Sequence, residues 1–540
     1  MTRCRPLVMV LLMFGALTAP ARIAGAASVP SSLVCTDSWR GAVSGAWGVS
    51  ANWSDGKIPA ATDDVCITVP GTYTVTLAPW SIGTADPNNN GAGIRSLTLG
   101  TLSGAGTQTL DIAGQGSVSN SNEQLNTVDL NTAGTSIITT HGRLVLDSTD
   151  GGTTLPGNPA GGFAEVSGAI ILNYGHILTE VQSISNKYAD YTQFACPLTN
   201  EVGASVSDNS GVLQATSIIN RGSFTVAPGA ALNVVALQGG YGAPASFTND
   251  GTLINDGAIT APPGPGSVTW TQSGGSVTGH EVTLQGGAKL IDQAGAAQFL
   301  MNSASATLIG TIPPGQRVTV EGEGYSSGGN AYNGTTLGLN GTTVINDGTL
   351  VLDAQGSGKT SGGPALINDG AVRNNGTILA EVTDPTWTVG WQAGLTNTHN
   401  GTLTVTGGML TASGGGAATN DGTVTVGPRA VFLLQEGMTF TNKSDGRIVS
   451  QIAGTNSVGQ FQMAAPCCNG AGVVNAGGSL LPTLVGGYRP TANAEFPLFL
   501  LVGGKITGTF NHLGNRFTAD YTHESMSPAF VGVVYRSTKK

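Results

Sequence analysis

Residues 344–378 read VINDGTLVLDAQGSGKTSGGPALINDGAVRNNGTI. One short unit occurs three times within them: an apolar residue, any residue, Asn, one or two small polar residues, Gly, any residue, an apolar residue. The same unit reads ILNYGHI at 171–177, IINRGSF at 218–224, FTNDGTL at 247–253 and LINDGAI at 253–259. It returns as ATNDGTV at 418–424, and in expanded form as LTNTHNGTL at 395–403 and FTNKSDGRI at 440–448. Asn346 to Asn368 is 22 residues, Asn374 to Asn397 is 23, Asn397 to Asn420 is 23 and Asn420 to Asn442 is 22. A period in the low twenties is what one turn of a parallel β-helix needs, three short strands and three corners. Asn and Gly suit the corners because both tolerate positive φ, and stacked Asn amides can hydrogen-bond from coil to coil. Asn249, Asn255, Asn346, Asn368, Asn374, Asn397, Asn420 and Asn442 are therefore read as structural corner residues. Independent hairpins would also use Asn-Asp-Gly. However, Asn249/Asn255 and Asn368/Asn374 are only six residues apart, which leaves room for one strand between two corners and no hairpin partner.

The expected fold is all-β: a right-handed parallel β-helix (β-solenoid) with coils of about 22 residues and β caps at both ends, its hand taken from the crossover rule for parallel strands. Roughly seventeen coils at a strand spacing of about 4.8 Å would make a rod near 80 Å long. Composition agrees. Of 540 residues 82 are Gly, and β-branched residues are abundant, which opposes helix. Charged residues make up 10% where about 25% is usual, so the surface is polar but sparsely charged. The formal net charge of −10 makes nucleic acid and anionic membrane poor partners.

The opening reads as a secretory leader: Arg3 and Arg5, an apolar run from Leu7 to Ala19, then Ala24-Gly25-Ala26-Ala27. The run is too short to span a bilayer, and no later segment is a transmembrane candidate, so the expectation is a secreted, extracellular protein with no membrane span in the mature chain. The expected organisation is a signal peptide at 1–27, an N-terminal β cap at 28–90, the β-helix at 91–475 with an inserted loop near 184–212, and a C-terminal β cap at 476–540. In an oxidising compartment Cys35 and Cys66 are the natural disulfide, closing the N-terminal cap. Cys196 reaches Cys467 or Cys468 only if a long loop folds back. Neither the thiols nor the six scattered histidines have zinc-site spacing, so no metal and no cofactor is expected.

Trp39, GAVSGAW ending at Trp47, NWSDGKIP with Trp53 and Pro59, and Asp63-Asp64-Val65 resemble the opening of bacterial secreted, autotransporter-passenger-like β-solenoid proteins, and also the start of G8-type modules. GGYRP at 486–490, Phe496, Phe499 and Gly508-Thr509-Phe510 resemble the closing segment of the same group. The resemblance implies an adhesin-like role at the cell surface. A translocator barrel after Thr509-Phe510 would complete the autotransporter pattern. None is visible, so attachment by that route is not expected.

Parallel β-helices also carry polysaccharide lyases and glycoside hydrolases, whose chemistry needs convergent carboxylates. The best local pair is Glu321 and Glu323 in VTVEGEGY, alternating along a strand about 6.5–7 Å apart. Most other acids sit in corners as turn chemistry, although Asp347 and Asp369 could stack as a calcium ladder. No catalytic triad order, H-E-x-x-H, P-loop or dinucleotide fingerprint occurs. For binding, Trp387 and Trp391 in TWTVGW are four apart and would share a strand face suited to sugar rings. Thr402/Thr404 and Thr423/Thr425 look like short threonine ladders. The expected function is a non-catalytic extracellular solenoid contacting polysaccharide or another surface protein, with a β-helix lyase or hydrolase as the alternative. An acid cluster beside a base in one groove would favour the enzyme, and an uncharged groove with aromatics would favour binding.

Overall fold

The computed structural model describes residues 34–78, 91–149 (without 116, 120–121 and 125), 162–181, 191–236, 244–262, 267–302, 305–322, 334–354, 363–382, 388–414, 416–465, 470–523 and 529–536. The leader reading, Glu323, Trp387, Cys467 and Cys468 lie outside these residues. Among the described residues there is one short 3-10 turn, Ser50–Asn52, and otherwise strand and loop.

The fold is a parallel β-helix with three faces per coil. In one coil the chain runs Ala245–Asn249 on the first face, Thr252–Asn255 on the second and Ala258–Ala261 on the third. It then returns as Val268–Gln272 beside Ala245–Asn249. Side chains alternate along every strand. Ala245–Asn249 and Val268–Gln272 both run buried, half-buried, buried, half-buried, buried. The inward set forms one continuous core of Leu, Ile, Val and Phe with Trp270 and Trp391. Aromatic rings stack along it, with Phe247 and Trp270 at 4.2 Å and nearly parallel.

The ten-residue strands Tyr191–Asn200, Gly211–Asn220, Ala365–Asn374 and Thr388–Asn397 each serve two faces. Their register breaks where they turn, between Phe194 and Pro197 and between Asn368 and Ala371. Tyr191–Asn200, Ser205–Asp208 and Gly211–Asn220 correct the expected loop near 184–212. From 191 onward that stretch is coil, its aromatics and Cys196 taking alternating strand positions rather than forming a side excursion.

Neither expected cap boundary is a break in the sheet. Parallel pairing begins with Asp37–Ser38 against Val65-Cys66, and it continues to Ser479-Leu480 against His512-Leu513. The N-terminal end is filled by Trp39, Trp47 and Trp53, all buried, their rings edge to face at 5.1 and 4.8 Å. The Cys35–Cys66 disulfide is formed, with Cα atoms 5.7 Å apart. At the other end the pattern changes to antiparallel. Ala529–Tyr535 pairs with Glu495–Val502 on one side and Phe517–Asp520 on the other.

Candidate functional site: the groove on the third face

The asparagine corners sort into two columns. On the first face Asn173 Nδ2 donates to Asn200 Oδ1, Asn200 to Asn220, Asn220 to Asn249 and Asn249 to Gln272 Oε1, at 2.8–3.3 Å. On the second face the same relay runs from Asn346 through Asn374, Asn397 and Asn420 to Asn442, each step at 2.7 Å. Asn255 is buried on the second face but gives both protons to the His280 and Glu281 carbonyls. Asn368 corrects the sequence reading. It stands on the first face, half-exposed, paired in register with Gly338 and Gln392. The 22-residue spacing from Asn346 to Asn368 therefore joins two different corners. The true coil runs the 28 residues from Asn346 to Asn374. The relay amides are buried and bonded from coil to coil, whereas Asn368 stands outside both relays.

The two sequence-derived candidate sites fare differently. Trp391 is 2% exposed, lies between Ile367 and Ala412 in the core, and donates its Nε1–H to the Ala393 carbonyl at 2.8 Å. It is therefore a core residue and not a sugar platform. The strand starts at Thr388, so the parity that buries Val389 also buries Trp391. Glu321 ends the strand Arg317–Glu321, half-buried, in register with Asp353 and, one coil on, with Glu381. Its neighbours come from other coils. Asp347 and Asp369 do not stack: Asp369 follows the first-face corner, whereas Asp347 follows the second-face corner and accepts from Asn375 Nδ2 at 2.7 Å. Cys196 is a buried free thiol, pushed up to about 12 by burial and by the Asp129 and Glu165 carboxylates.

Sequence reading passed over the third face between residues 126 and 260. There the outward positions Asp129, Glu165, Gln193, Gln214, Asn233 and Thr260 align in one column. A parallel column of Phe163, Tyr191 and Val212 runs beside it. A groove of about 490 Å³ follows these columns, lined by Phe163, Glu165, Tyr191, Gln193, Gln214 and Val235 with Ala236. The Phe163 and Tyr191 rings meet edge to face at 4.2 Å. Gln193 Nε2 donates to Glu165 Oε1 at 3.3 Å, and Thr260 donates to Asn233 Oδ1 at 2.5 Å. Ser167 Oγ donates to the Asp129 carboxylate, 2.8 and 2.9 Å from its two oxygens, and receives Asn131 Nδ2 at 2.9 Å.

Burial, and next the charge of Asp129, pushes Glu165 up to about 7. Burial also raises Asp129, offset in part by the Ser167 bond. At neutral pH Glu165 can therefore give or accept a proton bond. The groove offers one aromatic edge, a row of amides and a carboxyl able to donate, and no cation among its described lining residues. No local motif could have flagged it, because Asp129, Glu165 and Gln193 are 36 and 28 residues apart in sequence. Comparison with protein-family models and with curated proteins returns no match.

Proposed function

We propose that this chain is an extracellular β-solenoid, adhesin-like or matrix-associated, that holds a neutral polysaccharide along the third-face groove without cleaving it. The observation that carries this reading is the row of donors and acceptors Glu165, Gln193 and Gln214 beside the Phe163–Tyr191 edge, one polar side chain per coil. A repeating ligand suits a site that repeats about every 4.8 Å. Sugar rings present apolar C–H faces to aromatics and hydroxyls to amides. Glu165 in the groove and Asp129 beside it, with no cation among the described lining residues, argue against a uronate-rich ligand. The Cys35–Cys66 disulfide and the leader-like opening support export. The resemblance of the ends to autotransporter-passenger-like solenoids supports a surface role.

One observation favours a second reading. Asp129 and Glu165 lie on neighbouring coils, and a carboxyl raised to about 7 is what a general acid for glycoside hydrolysis requires.

Affinity electrophoresis against a panel of neutral and acidic polysaccharides separates the readings, run alongside a reducing-sugar assay. The expected result is retardation by a neutral glycan, weakened about tenfold or more by Tyr191→Ala with Gln214→Ala, and no sugar release. Equal retardation of the double variant, or no neutral glycan retained, overturns the groove. Sugar release by the native chain that Glu165→Gln abolishes replaces binding with hydrolysis.

A further inference from the structure

The six histidines are scattered along the chain, but the fold brings one of them against two acids from separate elements at the C-terminal end. His523 Nε2 lies 3.0 Å from Glu495 Oε1 and 3.6 Å from Asp520 Oδ2. One ligand-capable atom from each of the three residues falls within 4.8 Å of the others. Glu495 opens the strand Glu495–Val502, Asp520 closes Phe517–Asp520, and both strands pair with Ala529–Tyr535.

Two of the three groups are positioned by neighbours outside the cluster. Asp520 commits Oδ1 to the backbone N–H and hydroxyl of Thr522, at 2.8 and 2.6 Å, which leaves Oδ2 facing the imidazole. The His523 ring stacks on Phe530 at 4.4 Å and 13°, so its plane is set. Gly532 keeps the space open, since a Cβ there would come within 3.2 Å of Glu495 Oε1.

We propose that Glu495, Asp520 and His523 form a binding site for a divalent transition cation, zinc being the reference ion, which ties the antiparallel C-terminal hairpin to the last strands of the solenoid. A zinc ion bound at about 2.0–2.2 Å sets its donors roughly 3.4 Å apart in a tetrahedron, and the observed 3.0 and 3.6 Å bracket that spacing. Two carboxylates and one imidazole are hard-to-borderline donors that suit Zn²⁺, Mn²⁺ or Ni²⁺ over Cu⁺. The partial exposure of the cluster leaves a fourth position for water. The role is structural. The ion would join groups from two strands and a turn at the end where parallel stacking stops.

The test is titration of the full exported chain with Zn²⁺ alone by calorimetry, with the melting midpoint read at each step and Co²⁺ substitution read by absorption. One ion per chain, a rise of several degrees in the midpoint and a Co²⁺ visible band are expected. His523→Gln should weaken binding tenfold or more and remove the band, and Glu495→Gln should do the same without touching the imidazole. No binding up to millimolar Zn²⁺ would leave the cluster an ordinary ion pair and overturn the site. Binding that both variants retain would place the ion elsewhere and overturn it equally.

Discussion

Asn397 accepts from Asn374 Nδ2 at 2.7 Å and donates to both Asn420 Oδ1 and the Thr423 carbonyl, at 2.7 and 3.2 Å. It is 1% exposed, so no water can replace these partners. Asn397→Ala would strand a donor above and an acceptor below in a dry core, a cost of about 3 kcal/mol. Asn368→Ala, at a half-exposed position outside the relay, should cost under about 1 kcal/mol. Urea denaturation of the two variants measures the difference, and equal losses would mean that the relay has no special weight. Asn346, inside the relay, and Asn368, outside it, sit in the same Ile-Asn-Asp-Gly run, which shows where sequence reading ends. The letters Ile-Asn-Asp-Gly specify a corner, whereas membership of a buried column depends on the residue one coil away.

At the scale of elements, the corners stack as tightly as the strands. A Cβ on Gly422 would stand 2.2 Å from the carbonyl oxygens of Gly401 and Thr398 on the preceding coil, so only glycine permits that approach. The N-terminal coil is held differently, by three tryptophans and a disulfide that closes 31 residues. Entropy of that loop corresponds to about 3–4 kcal/mol. Because solenoid coils contact only their neighbours, Cys35→Ser with Cys66→Ser should speed amide exchange in 37–77 while leaving 402–454 unchanged. Mass-spectrometric exchange reads both regions at once, and uniform loss of protection would show that the rod unfolds as one unit. The Cys35–Cys66 pairing was legible in sequence, since both thiols fall within the one N-terminal segment. The groove was not, because its floor takes one residue from each of several coils.

Across the whole molecule, burial has placed carboxyls where ionisation is costly. Asp208 and Asp292 are fully buried in the core and pushed up to about 8. Glu165 is pushed up to about 7 and Asp147 to about 6. Each has a folded pKa above its ordinary value of 3.8 or 4.5. Between about pH 4 and pH 8 the folded chain therefore holds more protons than the unfolded one, and stability falls as pH rises. Below that window both states are protonated and the effect is flat. The melting midpoint should drop by several degrees from pH 5 to pH 8.5. Asp292→Asn should flatten that slope and raise the midpoint at pH 8.5. Among the described residues Asp292 Oδ1 and Gln316 Oε1 both lack a hydrogen-bond partner, and an asparagine amide could serve the glutamine oxygen. A midpoint that stays level or climbs over the same range would contradict this.

Amino-acid order alone settled the all-β composition, the corner chemistry and the Cys35–Cys66 pairing, because all of these act over a few residues or one repeat. Tertiary structure alone decided which residues became neighbours between coils. Coil length differs widely, 17 residues from Val282 to Phe299 and 39 from Thr98 to Ile137, so the count along the chain cannot say what stacks on what. Strand phase then sent Trp391 inward and Glu165 outward beside Asp129. Phase and stacking are set by where each strand starts and how long each connection is. Backbone pairing across the whole rod fixes those quantities, and no local pattern of residues does.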